Sequence, residues 1–133
     1  MPVEPSRLAA IPLFATLDEA DLAAVAAAAS ELEAVEGQEV VKEGDFGHSL
    51  YAIETGTAVV TAGGVEVATL GPGDVFGEIA VVSSGRRMAT VTATTPMRLI
   101  VLFKRDVWAV ERRAPDVAGR LRALIAERWA DFA

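Results

Sequence analysis

The residues best suited to chemistry lie in one run, Phe76-Gly77-Glu78-Ile79-Ala80-Val81-Val82-Ser83-Ser84-Gly85-Arg86-Arg87-Met88-Ala89-Thr90-Val91. A glycine opens a short apolar segment, long enough for one or two helical turns. Ser-Ser-Gly follows, then arginine, then a β-prone run. Unpaired N–H groups at a helix start favour anions. Arginine offers phosphate oxygens a forked, permanent positive charge. A carboxylate at the same helix start repels phosphate but accepts hydrogen bonds from a sugar hydroxyl. Glycine and helix start, Glu78 and Arg87 together describe a site for a ribose phosphate. The competing reading makes Arg87 a surface ion-pair partner, worth about 0–1 kcal/mol, and Glu78 a solvated residue favoured by the helix dipole.

Other chemistries are excluded by composition. The chain has 133 residues, no cysteine and one histidine, His48. Disulfides, cysteine zinc sites and thiol nucleophiles are therefore out. A multi-histidine metal site, as on a cupin-type β-roll, is out as well. His48 itself sits in a glycine-rich turn and reads as an exposed loop residue. The net charge is −7, from 12 basic and 19 acidic residues. That balance argues against general nucleic-acid or anionic-membrane binding. No apolar run approaches the ~18 residues of a membrane span, and no signal pattern opens the chain. The expectation is a soluble, acidic, cytoplasmic domain. Its charge is uneven: residues 1–103 hold five basic residues, and Arg86, Arg87 and Arg98 are three of them. A local cationic site in an acidic chain suits a small anion better than a polymer.

The elements that must position these residues form one domain over 1–133: a helical segment over 1–30, a β-roll over 31–103 and helices over 104–133. Thr16-Leu17-Asp18-Glu19 has the form of a capping box with Thr16 as N-cap. Leu22, Val25, Ala26 and Ala29 follow at helical spacing. Pro12-Leu13-Phe14 reads as a strip that docks on the body of the domain. Ten of the eleven glycines fall between Gly37 and Gly85, which implies frequent turns. Between them lie short β-prone runs: Val35, Glu39–Lys42, Leu50–Glu54, Thr57–Thr61 and Val65–Leu70. Gly63-Gly64 is a hairpin signal, and Gly71-Pro72-Gly73-Asp74 a turn. Met88–Thr94 and Met97–Phe103 add two strands. Lys104–Arg113 predicts a helix, and Pro115 the first turn of another. Val117, Leu121, Leu124, Ile125, Trp129 and Phe132 share one broad face of that last helix. This predicts an α+β fold: an antiparallel β-roll (jelly roll) flanked by an N-terminal helix and two C-terminal helices, with a short phosphate-binding helix inside the roll.

The run from Phe76 resembles the phosphate-binding cassette of cyclic nucleotide-binding domains, found in catabolite activator proteins, protein kinase A regulatory subunits and cyclic nucleotide-gated channels. Gly44-Asp45, Leu50-Tyr51-Ala52-Ile53 with Gly56, Leu70-Gly71-x-Gly73-Asp74-x-Phe76-Gly77-Glu78 and Ile11-Pro12-Leu13-Phe14 extend the resemblance over essentially the whole chain. The resemblance implies that Glu78 binds the ribose 2′-hydroxyl and that Arg87 pairs with the cyclic phosphate. It also implies that Gly77, Ile79, Ala80 and Ala89 border the phosphate. Val65, Val67 and Leu70 become candidate base contacts, and Arg122, Ile125 and Trp129 candidates for a lid. Core or dimer packing is the better reading of Trp129.

Two positions depart from the family pattern: Arg86 stands where proline is common, and Met88 where a small or hydroxylated residue is common. Methionine offers no hydroxyl, which favours cAMP over cGMP. The implied function is a non-enzymatic cyclic nucleotide sensor without a cofactor, whose last helix reports occupancy to a partner or fused output domain. A β-roll interaction module with a degenerate pocket and the sensor half of a truncated transcription regulator are the alternatives. Arg120, Arg122, Glu127 and Arg128 beside the apolar stripe also fit a homodimer interface. That stripe fits a cover for the roll equally well.

Overall fold

A computed structural model describes residues 3–77 and 87–132, the side chains of 124, 125 and 128–132 excepted. The N-terminal flank holds α1 (Pro5–Ala9), a 3-10 turn (Pro12–Phe14) and α2 (Glu19–Ala28). Strands β1 (Ser30–Ala34), β2 (Glu39–Val41), β3 (Ser49–Thr55), β4 (Ala58–Ala62), β5 (Val65–Leu70), β6 (Val75–Phe76), β7 (Thr90–Ala93) and β8 (Met97–Phe103) follow. The chain then runs through α3 (Lys104–Arg113) and α4 (Pro115–Phe132). Among the described residues the strands form two four-stranded sheets, in the orders β1-β8-β3-β6 and β2-β7-β4-β5. All their pairings are antiparallel. This is the expected β-roll with helical flanks. The short phosphate-binding helix expected within 78–86 lies outside the described residues.

The sequence of β8 shows why the layers stack this way. Met97-Arg98-Leu99-Ile100-Val101-Leu102-Phe103 is nearly continuously apolar because the first sheet is covered on both faces. Leu99 joins Ile53, Val60, Val91 and Phe76 in the roll interior. Ile100 and Leu102 point the other way and join Leu50, Phe14, Val107 and Leu121 beneath the helices. Neighbouring β3 obeys the same alternation. Its Leu50 and Ala52 face the helices, whereas Tyr51 and Ile53 face the roll. The first sheet is thus a shared wall between two cores. The Pro12–Phe14 strip docks as expected, with Leu13 and Phe14 buried in the helix-side core.

Three local expectations give way to tertiary structure. The N-cap of α2 is Asp18, whose carboxylate accepts from the Asp21 N–H at 2.8 Å. Thr16 instead donates its hydroxyl to Asp116, at the start of α4. That bond, with the nearby Arg120, holds the Asp116 carboxyl below the usual carboxylate range. Second, Ser30–Ala34 is a strand, whereas the β-prone residue expected there, Val35, is exposed just beyond it. Its alternation is clear once paired. Leu32 and Ala34 reach the roll interior, and Glu33 meets Arg98 across the register at 3.8 Å. Third, Met88 and Ala89 form a bend before β7 rather than its first residues. At Gly63-Gly64 the hairpin forms as expected, with φ +59° and +80°. Both values belong to the tight turn whose twist matches antiparallel strands.

Arg7 ties α1 to the first sheet. Its Nε donates to Glu54 at 2.9 Å, a second N–H donates to the other Glu54 oxygen, and Glu31 closes the cluster. The Arg7 hydrogen bond is the largest cause holding the Glu54 carboxyl below its ordinary range, against the opposing effect of burial. A folded-state pKa that is depressed contributes stability above the unfolded value and loses it as pH falls through the folded one. Glu54→Gln is therefore expected to lower the urea midpoint at pH 7 and to flatten its decline between about pH 5 and pH 3. A variant whose midpoint falls with pH as steeply as the wild type would remove Glu54 from the acid response.

Candidate functional site

Arg87 is the centre of the candidate site. It stands immediately before the β7 bend and is one of only two polar residues in the described buried set, 7% exposed. Its backbone is clamped to the β2–β3 connection: Arg87 N–H donates to Asp45 O at 2.8 Å, and Gly44 N–H donates to Arg87 O at 2.9 Å. The guanidinium turns inward over the same connection. Nη1 donates to the Gly77 carbonyl at 3.2 Å and Nη2 to the Ser49 carbonyl at 3.1 Å. Its carbon lies 5.6 Å from the centre of the Tyr51 ring. That ring in turn stacks on Phe76, with centroids 5.0 Å apart and planes within 10°. The antiparallel β3–β6 register, which sets Tyr51 opposite Phe76, produces the stack. A guanidinium keeps its charge under any burial found in proteins. The fold therefore holds a permanent cation against an aromatic pile.

Beside it opens a cavity of about 260 Å³, lined by Glu39, Val40, Val41, Lys42, Asp45, Phe46, Tyr51 and Arg87. Its wall carries both signs of charge, but Lys42 and Glu39 are solvated and 3.8 Å apart. Such a pair contributes little. Arg87 is the buried charge of the lining, where water screens it least, whereas Asp45 is exposed. Gly77 closes the arrangement. It takes φ +90°, where side chains are strained, and an added Cβ would fall 2.5 Å from Arg87 Nη1 and 2.6 Å from the Ser49 carbonyl. Only glycine fits there. Among the described residues no group of three or more His, Asp or Glu could hold a metal ion. The geometry suits the capture of a small anion.

A family model described as the cyclic nucleotide-binding domain matches residues 31–113. The chain belongs to that family. A cyclic AMP receptor protein of Thermus thermophilus is 38% identical over 98 residues, covering 70% of this chain and 45% of that protein. A cAMP-dependent protein kinase regulatory subunit of Eremothecium gossypii is 42% identical over 98 residues, covering 73% of this chain and 21% of its own length. The chain thus spans less than half the length of either relative. The crystal structure of the Thermus thermophilus catabolite activator protein superposes with a TM-score of 0.78 at 33% identity, over 90% of this chain and 59% of that one.

Within this cyclic nucleotide-binding domain, Gly77 and Arg87 come together from opposite sides of the 78–86 segment. Glu78, Ile79 and Ala80 lie outside the described residues. Met88 and Ala89 are half-buried in the bend beside Arg87, and Ala89 packs on the roll interior. The candidate base contacts divide. Leu70 is buried in the roll core, Val67 packs against it, and Val65 is exposed at the start of β5. None of the three is among the described residues lining the cavity. Arg122 is exposed on α4, and the Ile125 and Trp129 side chains lie outside the described ones. Gly47, Ser49 and Tyr51, which touch the Arg87 side chain, carried no role in the sequence reading. The repeated glycines of Gly44-Asp45-Phe46-Gly47 were the available signal, since small residues mark close approach.

Proposed function

We propose that this domain is a cyclic nucleotide sensor that prefers cAMP to cGMP and has no catalytic role. The buried, clamped Arg87 in the wall of a cavity carries the reading, because it presents a fixed cation where a cyclic phosphate would need one. The names of the two relatives, both of which refer to cAMP, support the base preference. So does Met88, which brings no hydroxyl to a guanine. Occupancy would reach an output through α4. Val117 and Leu121 of that helix are buried with the N-terminal strip, and Arg120 donates to the Pro12 carbonyl. A ligand moves such an equilibrium only through its different affinity for two arrangements. The output is a partner protein or a fused domain.

Calorimetric titration tests the proposal. One mole of cAMP is expected to bind per chain, about tenfold or more tighter than cGMP, which is ~1.4 kcal/mol. Equal or reversed affinities would overturn the base preference. Absence of heat with both nucleotides, and of competition between them, would move the weight to an interaction module.

A further inference from the structure

We propose that Gly47 and Tyr51 are positioning residues for the phosphate-binding arginine: one provides the space its side chain occupies, the other the surface on which its guanidinium rests. This inference rests on the sensor reading above. The observation behind it is a steric one. A Cβ built on Gly47 would lie 2.0 Å from Arg87 Nε and 2.2 Å from the guanidinium carbon. The three nearest heavy atoms all belong to the arginine side chain, which fills the space. Gly47 is buried and its φ lies outside the left-handed region. Alanine would therefore meet no left-handed strain there and would act first on the Arg87 side chain. Gly77 lacks this property, because its φ of +90° makes any substitution there a backbone change too.

Tyr51 meets the guanidinium from another side. At 5.6 Å between the guanidinium carbon and the ring centroid, the cation lies within the range of attraction to an aromatic ring. The Phe76 ring behind Tyr51 fixes the plane of that ring. Together with the carbonyls of Ser49 and Gly77, these contacts define the direction of the guanidinium before any anion arrives. Pre-set geometry of this kind raises affinity by lowering the ordering cost at binding. The two positions come from the β2–β3 connection and β3, remote in sequence from the cassette.

The test uses the full chain and two readouts. The first is cAMP affinity by calorimetry. Gly47→Ala is expected to weaken binding about 10- to 100-fold, as a displacement near 1 Å does at other organised sites. Tyr51→Leu is expected to lose about three- to twentyfold, the range of a cation–aromatic contact. Tyr51→Phe, which keeps the ring, is expected to recover that loss. In an Arg87→Ala background neither Gly47→Ala nor Tyr51→Leu should weaken residual binding further, whereas a general structural defect would add its own loss. The second readout is the Arg87 Nε–H resonance, assigned by its disappearance in Arg87→Lys. It should shift in Gly47→Ala and in Tyr51→Leu. Wild-type affinity with an unshifted resonance in both variants would overturn the inference. So would losses that add fully to that of Arg87→Ala. Failure of the wild type to bind either nucleotide would sink the sensor reading instead; the resonance alone would then decide whether these residues hold Arg87. If Gly47→Ala does not fold, the Tyr51 pair carries both readouts.

Discussion

Arg87→Ala is expected to weaken cAMP binding by about 2–5 kcal/mol, the cost of removing one member of a desolvated charge pair. In affinity that is a loss of roughly thirtyfold to several thousandfold. The structure adds a second consequence, for stability. Arg87 donates to the Gly77 and Ser49 carbonyls, and its removal leaves both without that donor. A buried carbonyl left unsatisfied costs about 1–3 kcal/mol unless water or another donor replaces the arginine, and the Ser49 bond is the buried one of the two. The variant should therefore remain folded but melt earlier. Arg98→Ala is the matched control. Its side chain is 52% exposed and faces Glu33 at 3.8 Å, a pair of the kind that contributes little. It should alter neither affinity nor melting. Calorimetry and thermal unfolding on the two variants read both effects. Unchanged cAMP affinity in Arg87→Ala would remove the residue from the site.

The features readable in advance were those with a local cause. The limits of β8, α3 and the start of α4 matched expectation because each is marked by composition or by proline. The Gly63-Gly64 hairpin was equally plain, since φ above zero at two successive positions demands glycine. What escaped depends on partners distant in the chain. β1 carries glutamates at 31 and 33, which hide a strand until Arg7 and Arg98 are seen to meet them. The choice of Asp18 over Thr16 as cap follows the engagement of Thr16 by Asp116, 100 residues away. The site divides in the same way. Arg87 and Gly77 lie in one contiguous motif, and the structure brings the two into contact. Ser49 and its neighbours lie 38 residues or so before Arg87 and reach it because the backbone of Arg87, just ahead of β7, is bonded to Gly44 and Asp45 in the β2–β3 connection. Spacing along a chain identifies the residue that makes a contact, whereas topology identifies what holds that residue still.

Phe76→Ala should be the most destabilising of the substitutions considered, because Phe76 belongs to both the core and the site. It is 1% exposed in the roll interior, and truncation of such a ring costs about 3–5 kcal/mol. Against a typical total of about 5–15 kcal/mol, the variant would be folded but marginal. Its second role is the stack beneath Tyr51, hence beneath Arg87. Ligand should therefore rescue it less than a variant whose damage lies elsewhere. At a cAMP concentration 100 times the wild-type Kd, linkage contributes about 2.7 kcal/mol to an intact site. A site with a displaced arginine receives less at the same concentration. Leu8→Ala offers the comparison: Leu8 is fully buried, but in the helix-side core away from Arg87. Urea unfolding of both variants with and without cAMP separates the cases. The expected result is a full ligand increment for Leu8→Ala and a reduced one for Phe76→Ala. Equal increments would mean that the Phe76 ring supports the fold without orienting Tyr51, and that the guanidinium keeps its place without the stack.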